Sequence, residues 1–285
     1  MKKTLLLGIA ALLCGSIAVA QPRSASAPQL LLSTPTGLMA PVWSPDGKHI
    51  AASGLNYSGI YVAQADGSSL QMVTDAPGAG YKMVWNGNNA IVGRTNIVEN
   101  GRVMHEMYSW TLSGTATRVA AKGRNVQAPS LRAAGMAKGQ AGIYDMMVAD
   151  PSHVAATVGA LADFEGQIII NPALSPDGSR IAFQVPGKGM WVIGADGSNL
   201  RSIGAGSHPA WLPDNATIVY TVVKDNGSEF TSSAIYAKNI DNGKSMTISD
   251  SSTILPLSPA VSLDGYKVAF ENARDNAIYV ITLKY

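Results

Sequence analysis

Ala40-Pro41-Val42-Trp43-Ser44-Pro45-Asp46-Gly47 opens a pattern that the chain repeats with altered spelling. The other copies are Lys82-Met83-Val84-Trp85-Asn86-Gly87-Asn88-Asn89, Ala128-Pro129-Ser130-Leu131-Arg132-Ala133-Ala134-Gly135, Asn171-Pro172-Ala173-Leu174-Ser175-Pro176-Asp177-Gly178, His208-Pro209-Ala210-Trp211-Leu212-Pro213-Asp214-Asn215 and Ser258-Pro259-Ala260-Val261-Ser262-Leu263-Asp264-Gly265. Their spacing of about 40 to 50 residues is that of a propeller or a solenoid. Each part of the pattern has a physical reading. A proline without an N–H suits the first residue of a strand, a short apolar strand follows, and Ser-Pro-Asp-Gly is turn chemistry that reverses the chain.

Working outward from the first copy, four strand-like runs follow one another: Pro41 to Ser44, Lys48 to Ser53, Gly59 to Gln64 and Ser69 to Val73. They are separated by Asp46-Gly47, Asn56-Tyr57-Ser58 and Asp66-Gly67. Hairpin spacing of this kind predicts a four-stranded antiparallel meander. The fourth and fifth repeats follow the same plan. The sixth runs out at Tyr285 one strand short. An unassigned apolar run at Leu30 to Leu32 is what a ring needs to complete that blade, and a closed ring leaves no long open sheet edge. The expected fold is therefore all-β: a six-bladed propeller of four-stranded antiparallel blades, the last closed by the N-terminal strand.

The first residues read as a processing signal. Lys2 and Lys3 precede an apolar run from Leu5 to Leu13 and the small-residue pattern Ala18-Val19-Ala20. The expected organisation is a signal peptide over 1–20, a flexible lead-in over 21–28 and a propeller over 29–285, placing the mature protein in the periplasm. The one cysteine, Cys14, lies inside the leader, so the mature chain forms no disulfide. Without Lys2 and Lys3 the 21 basic residues are reduced to the number of acidic ones, 19. A neutral mature chain argues against nucleic acid as a partner.

The recurring pattern, with Ile50-Ala51-Ala52, Ile181-Ala182-Phe183, Ile60-Tyr61-Val62 and Met190-Trp191-Val192 behind it, resembles the TolB-type, or WD-like, propeller repeat. That resemblance implies a periplasmic interaction module. In a propeller the innermost strands line a channel, so the first position of each repeat falls at one mouth: Ala40, Lys82, Ala128, Asn171, His208 and Ser258. The polar members Lys82, Asn171, His208 and Ser258 are the candidate ligand- or partner-binding residues. Trp43, Trp85 and Trp211 share one position and read as packing between blades. Tyr57, Phe164 and Phe230 fall in connections and are candidate anchors for a partner. The long connections are expected at Asn96 to Val103, Gly159 to Gln167 and Lys224 to Ser233.

No serine is flanked as Gly-x-Ser-x-Gly, Gly243-Lys244-Ser245 lacks the earlier glycine of a phosphate loop, and no metal-binding spacing surrounds His49, His105, His153 or His208. No catalytic residue, metal or other cofactor is therefore expected. The function expected is a non-catalytic scaffold, monomeric and without a membrane span, whose partner is an envelope protein or peptide. The alternative is a carbohydrate-active lyase or hydrolase, or a sugar- or peptide-binding protein, using the channel with His208, Lys82 and Asn171.

Overall fold

In the second strand of each repeat an apolar run has both faces to bury, and its period of two divides the residues between two neighbours. In the computed structural model, which describes residues 21–123, 164, 167–249 and 253–285, Ile50 and Ala52 pack toward the last blade while Ala51 packs toward the second. Val268 and Phe270 face the preceding blade, and Ala269 faces the first. The core therefore lies between sheets, in a series of inter-blade layers.

The described residues form five sheets. The first holds β3 (Leu38–Trp43), β4 (His49–Gly54), β5 (Ile60–Gln64) and β6 (Gln71–Thr74). The second holds β7 (Val84–Asn86), β8 (Ala90–Glu99), β9 (Arg102–Thr111) and β10 (Ala116–Gly123). Next come β11 (Ile170–Leu174), β12 (Arg180–Val185), β13 (Gly189–Gly194) and β14 (Arg201–Gly204), then β15 (Ser207–Trp211), β16 (Thr217–Asp225), β17 (Phe230–Asn239) and β18 (Ser245–Ser249). In the last, β19 (Pro256–Val261), β20 (Lys267–Asn272) and β21 (Ala277–Lys284) are joined by β2 (Gln29–Leu32), which runs antiparallel to β21 with Leu30 opposite Tyr279. Within residues 21–28, Ser24–Ala25 forms β1 and extends the same edge opposite Leu283 and Lys284. Every pairing is antiparallel. The first strands meet one another, β11 against β15, β15 against β19 and β19 against β3, so they form the inner wall. This is a β-propeller of four-stranded blades, with the N-terminal strand completing the last.

The blade number differs from expectation: five among the described residues where six are predicted. The third repeat, opening at Ala128, and His153 lie outside the described residues. Two predicted loops are also corrected. Residues 96–103 are a hairpin tip, β8 and β9 pairing out to Glu99 and Arg102 across Asn100-Gly101. Both turn residues have positive φ, 51° and 71°, the pair of conformations that matches strand twist. In the same way β16 and β17 reduce Lys224 to Ser233 to a tip between Asp225 and Phe230. Most of Gly159 to Gln167 lies outside the described residues. Phe164 is no exposed anchor, being 1% exposed and packed edge-on to Phe183 and Trp191.

Two local devices repeat around the ring. In the turn, Ser44 donates its hydroxyl to Asp46 and accepts the His49 N–H, while Asp46 accepts the Lys48 N–H. Ser175 with Asp177 and Ser262 with Asp264 do the same. These aspartates are occupied by their own turns, which removes them from consideration as acid–base pairs. The second device is a tryptophan stitch. Trp43 Nε1 donates to the Ala260 carbonyl at 3.1 Å, Trp85 to Val42 at 3.1 Å and Trp211 to Ala173 at 2.9 Å, each reaching the inner strand of the preceding blade. All three indoles are buried, as the shared repeat position predicts.

Candidate functional site

Because each blade is an antiparallel meander, the connection entering its first strand and the hairpin between its second and third strands lie at the same end. That end is built on a shared backbone feature. Ala40, Lys82, Asn171, His208 and Ser258 all adopt left-handed φ, between 49° and 52°. In four blades the ladder slips there, between Met39 and Val42, Ile170 and Ala173, Ser207 and Ala210, and Leu257 and Ala260, so the inner strand carries a bulge. A left-handed residue with a Cβ costs on the order of 1 kcal/mol, and five of unrelated chemistry bear that cost at the same place. In those four blades the bulge turns the residue out of the ladder at this end.

Lys82, Asn171, His208 and Ser258 thus occupy equivalent positions in four blades, and each meets different surroundings. Asn171 Nδ2 donates to Gln184 Oε1 at 3.0 Å. Ser258 Oγ donates to Glu271 Oε1 at 3.2 Å. His208 is exposed, yet the protein around its ring pushes its pKa down by removing water from the charged form. Lys82 is exposed and stands 5.6 Å from the centre of the Tyr81 ring.

A second set of residues stands behind these, one from the second strand of each blade: Ser53, Arg94, Gln184, Thr221 and Glu271. Ser53 and Thr221 are fully buried. Glu271 is 9% exposed. Its carboxylate accepts the Ala40 N–H at 2.7 Å across the seam between the last blade and the first. Burial nevertheless prevails over both hydrogen bonds and raises its pKa. The same carboxylate, after burial, helps to raise the pKa of Tyr57.

Arg94 differs from the rest. Its guanidinium lies 3.9 Å from the centre of the Tyr81 ring, and Nε is buried without a hydrogen-bond partner. Tyr57 packs edge-on to Tyr81 at 5.1 Å. Tyr57 follows Asn56 in the turn Leu55–Tyr57, and both have left-handed φ, 55° and 58°. The connection carrying Tyr81 is tied down by Gly80 N–H to the Tyr57 carbonyl and Asn96 N–H to the Pro77 carbonyl. There is no room for a side chain where it crosses β8: a Cβ on Gly93 would lie 2.2 Å from the Ala79 oxygen. His105, on the neighbouring β9, has its pKa lowered by burial and by the Arg94 charge.

Two grooves lie elsewhere. One, of about 560 Å³, joins the β16–β17 tip to the β20–β21 tip and includes Asp225, Phe230, Leu255 and Arg274. The other, about 600 Å³, lies at the opposite end between two blades, where Arg180 and Arg201 share Asp241. Among the described residues no three His, Cys, Asp or Glu side chains converge as a metal site would require, and no helix is long and apolar enough to cross a membrane. Tyr57, Tyr81, Arg94 and Glu271 carry no signal in the repeat pattern. Only the turn-like Asn56-Tyr57 marks one of them in sequence.

These features define a β-propeller with a polar mouth of mixed chemistry. No protein-family model matches the sequence, and no curated protein matches it. Among solved structures it is similar to an oligogalacturonate lyase in complex with manganese, at 15% identity and a TM-score of 0.33 over 86% of this chain and 62% of that one. It is also similar to an oligogalacturonate lyase from Vibrio parahaemolyticus, at 11% and 0.30 over 86% of this chain and 78% of that one. A third is the tricorn protease, at 9% and 0.34 over 85% and 25%. The chain spans less than two thirds of the length of the first of these and of the protease.

Proposed function

We propose that the chain is an exported, TolB-type propeller that serves in the periplasm as a non-catalytic protein-interaction module. The observation that carries this reading is the mouth itself. One backbone geometry, repeated in five blades, presents alanine, lysine, asparagine, histidine and serine in turn. A regular scaffold with a non-repeating rim suits recognition of an irregular partner surface. The tall β16–β17 hairpin beside it ends at Phe230, which is 52% exposed and available as an anchor.

The test is crosslinking in intact cells followed by capture of the mature protein, in parallel with the His208→Ala/Lys82→Ala double variant. A reproducible envelope-protein partner supports the module, and its loss in the variant places contact at the mouth. Capture of a glycan in place of any protein, lost in the variant, overturns the reading in favour of a carbohydrate-active or sugar-binding protein.

A further inference from the structure

We infer that Arg94, Lys82 and the Tyr57–Tyr81 pair form a subsite for a carboxylate, and that its ligand is the free C-terminus of a peptide. The inference rests on the interaction reading above and names the chemistry of one contact. Arg94 holds a rigid fork of N–H donors, yet its buried Nε meets no acceptor among the described residues, and the guanidinium lies against the Tyr81 face. A partly buried guanidinium normally pairs with a carboxylate or carbonyls, because its desolvated donors are otherwise left unmatched. Burial here lowers the pKa of Arg94, only partly opposed by Tyr81.

Lys82 brings a second positive charge to the same ring. Its backbone is held in the left-handed conformation just before β7, whereas Arg94 is fixed by the second strand and by stacking on Tyr81. Neither cation makes an ion pair with a described carboxylate; Glu106, the acid in the adjoining strand, is engaged by Arg118 at 3.2 Å and by the Tyr108 hydroxyl at 2.9 Å. An incoming carboxylate would accept two parallel N–H bonds from the Arg94 fork and relieve the repulsion between the two cations. Tyr57 and Tyr81 supply an apolar wall for the side chain next to that carboxylate. His105 faces the site from β9 with its Nδ1 buried and unpartnered, and its lowered pKa keeps it neutral near pH 7, so it adds no third charge.

The experiment is calorimetric titration of the mature protein with N-acetylated trialanyl-phenylalanine, against the same peptide ended by an amide. The free acid should bind at least about tenfold more tightly than the amide. Arg94→Lys, which retains charge but not the fork, should weaken the acid by about tenfold and leave the amide unchanged. Lys82→Gln should produce a smaller loss and a flatter salt dependence. Thermal unfolding of each variant confirms that the fold is retained. Equal affinity for acid and amide, or wild-type affinity in Arg94→Lys, overturns the subsite. Arg94-dependent binding of D-glucuronate without the peptide overturns the peptide source, and tighter binding of inorganic phosphate overturns the carboxylate. A crosslinked partner with no peptide binding defeats this inference alone. Peptide binding with no partner defeats only the scaffold reading.

Discussion

Leu30 and Leu32 offer a matched test of ring closure. They are two residues apart on β2 and would share a face in a regular strand, but the ladder slips between them, Leu30 facing Tyr279 and Leu32 facing Ile278. As a result Leu30 is 58% exposed while Leu32 is 2% exposed and packs with Leu38, Ile50, Ala269 and Ile278, joining the last blade to the first. Leu32→Ala removes a buried isobutyl group from a core that can only partly collapse, at a cost of about 2–5 kcal/mol. Leu30→Ala changes an exposed side chain on the same strand and should fall within about 0.5 kcal/mol of wild type. For a chain of this length each kcal/mol moves the midpoint by roughly 2–4 °C, so Leu32→Ala should lower Tm by roughly 4 to 20 °C. Thermal unfolding followed by circular dichroism reads both variants. A Leu32→Ala midpoint indistinguishable from that of Leu30→Ala would refute the reasoning, since the strand would then be neither buried nor needed for the seam.

Other expectations follow from the same geometry. Trp43→Phe, Trp85→Phe and Trp211→Phe each leave an inner-strand carbonyl without its indole donor and should cost about 1–3 kcal/mol in urea unfolding, similarly in the three blades. Gly93→Ala should destabilise by about 1–3 kcal/mol, because its Cβ would meet the Ala79 oxygen; loss of tetrapeptide binding should accompany it as the Tyr81 connection shifts. Glu271 has a raised folded pKa, so its contribution is fully present below the ordinary glutamate range near 4.3 and is lost as pH rises through the raised value. Glu271→Gln, which matches Gln184 at the equivalent position, should therefore gain midpoint relative to wild type as pH rises through that window. A pH-independent difference would contradict the assignment. The His208 resonance should titrate below the ordinary value of 6.5 in a proton NMR series.

Much of the fold was legible because its signals are local. Ser-Pro-Asp-Gly writes the turn into the chain, the apolar triplets mark strands buried on both faces, and the missing strand of the sixth repeat pointed to Leu30–Leu32. The hairpin at 96–103 was missed, its Asn100-Gly101 turn passed over in a stretch expected to be a long connection. The site was less visible for a physical reason. Ala40, Lys82, Asn171, His208 and Ser258 share a backbone conformation and not a side-chain type, so the repeat marks their common address but not the left-handed turn that defines it. Tyr57 comes from the first blade, Tyr81 and Arg94 from the second and its entry, and Glu271 from the last, and what they share is set by tertiary packing. Phe164 looked like a surface aromatic because its position in a connection says nothing of the Phe183 and Trp191 rings that enclose it.

The last blade is assembled from the two ends of the chain, with the Thr282 N–H bonded to the Ser26 hydroxyl across a separation of 256 residues. Loop-closure entropy grows only slowly with length, but contacts this distant form late and slowly. The other described sheets are each continuous in sequence and can pair as they are made, whereas this seam must wait for the final strand. Until β2 docks on it, the edge of β21 remains uncovered and open to the equivalent strand of a second molecule. The same arrangement that joins the two ends of one chain in a single blade thus makes a late encounter between two chains the natural route to a strand-exchanged dimer.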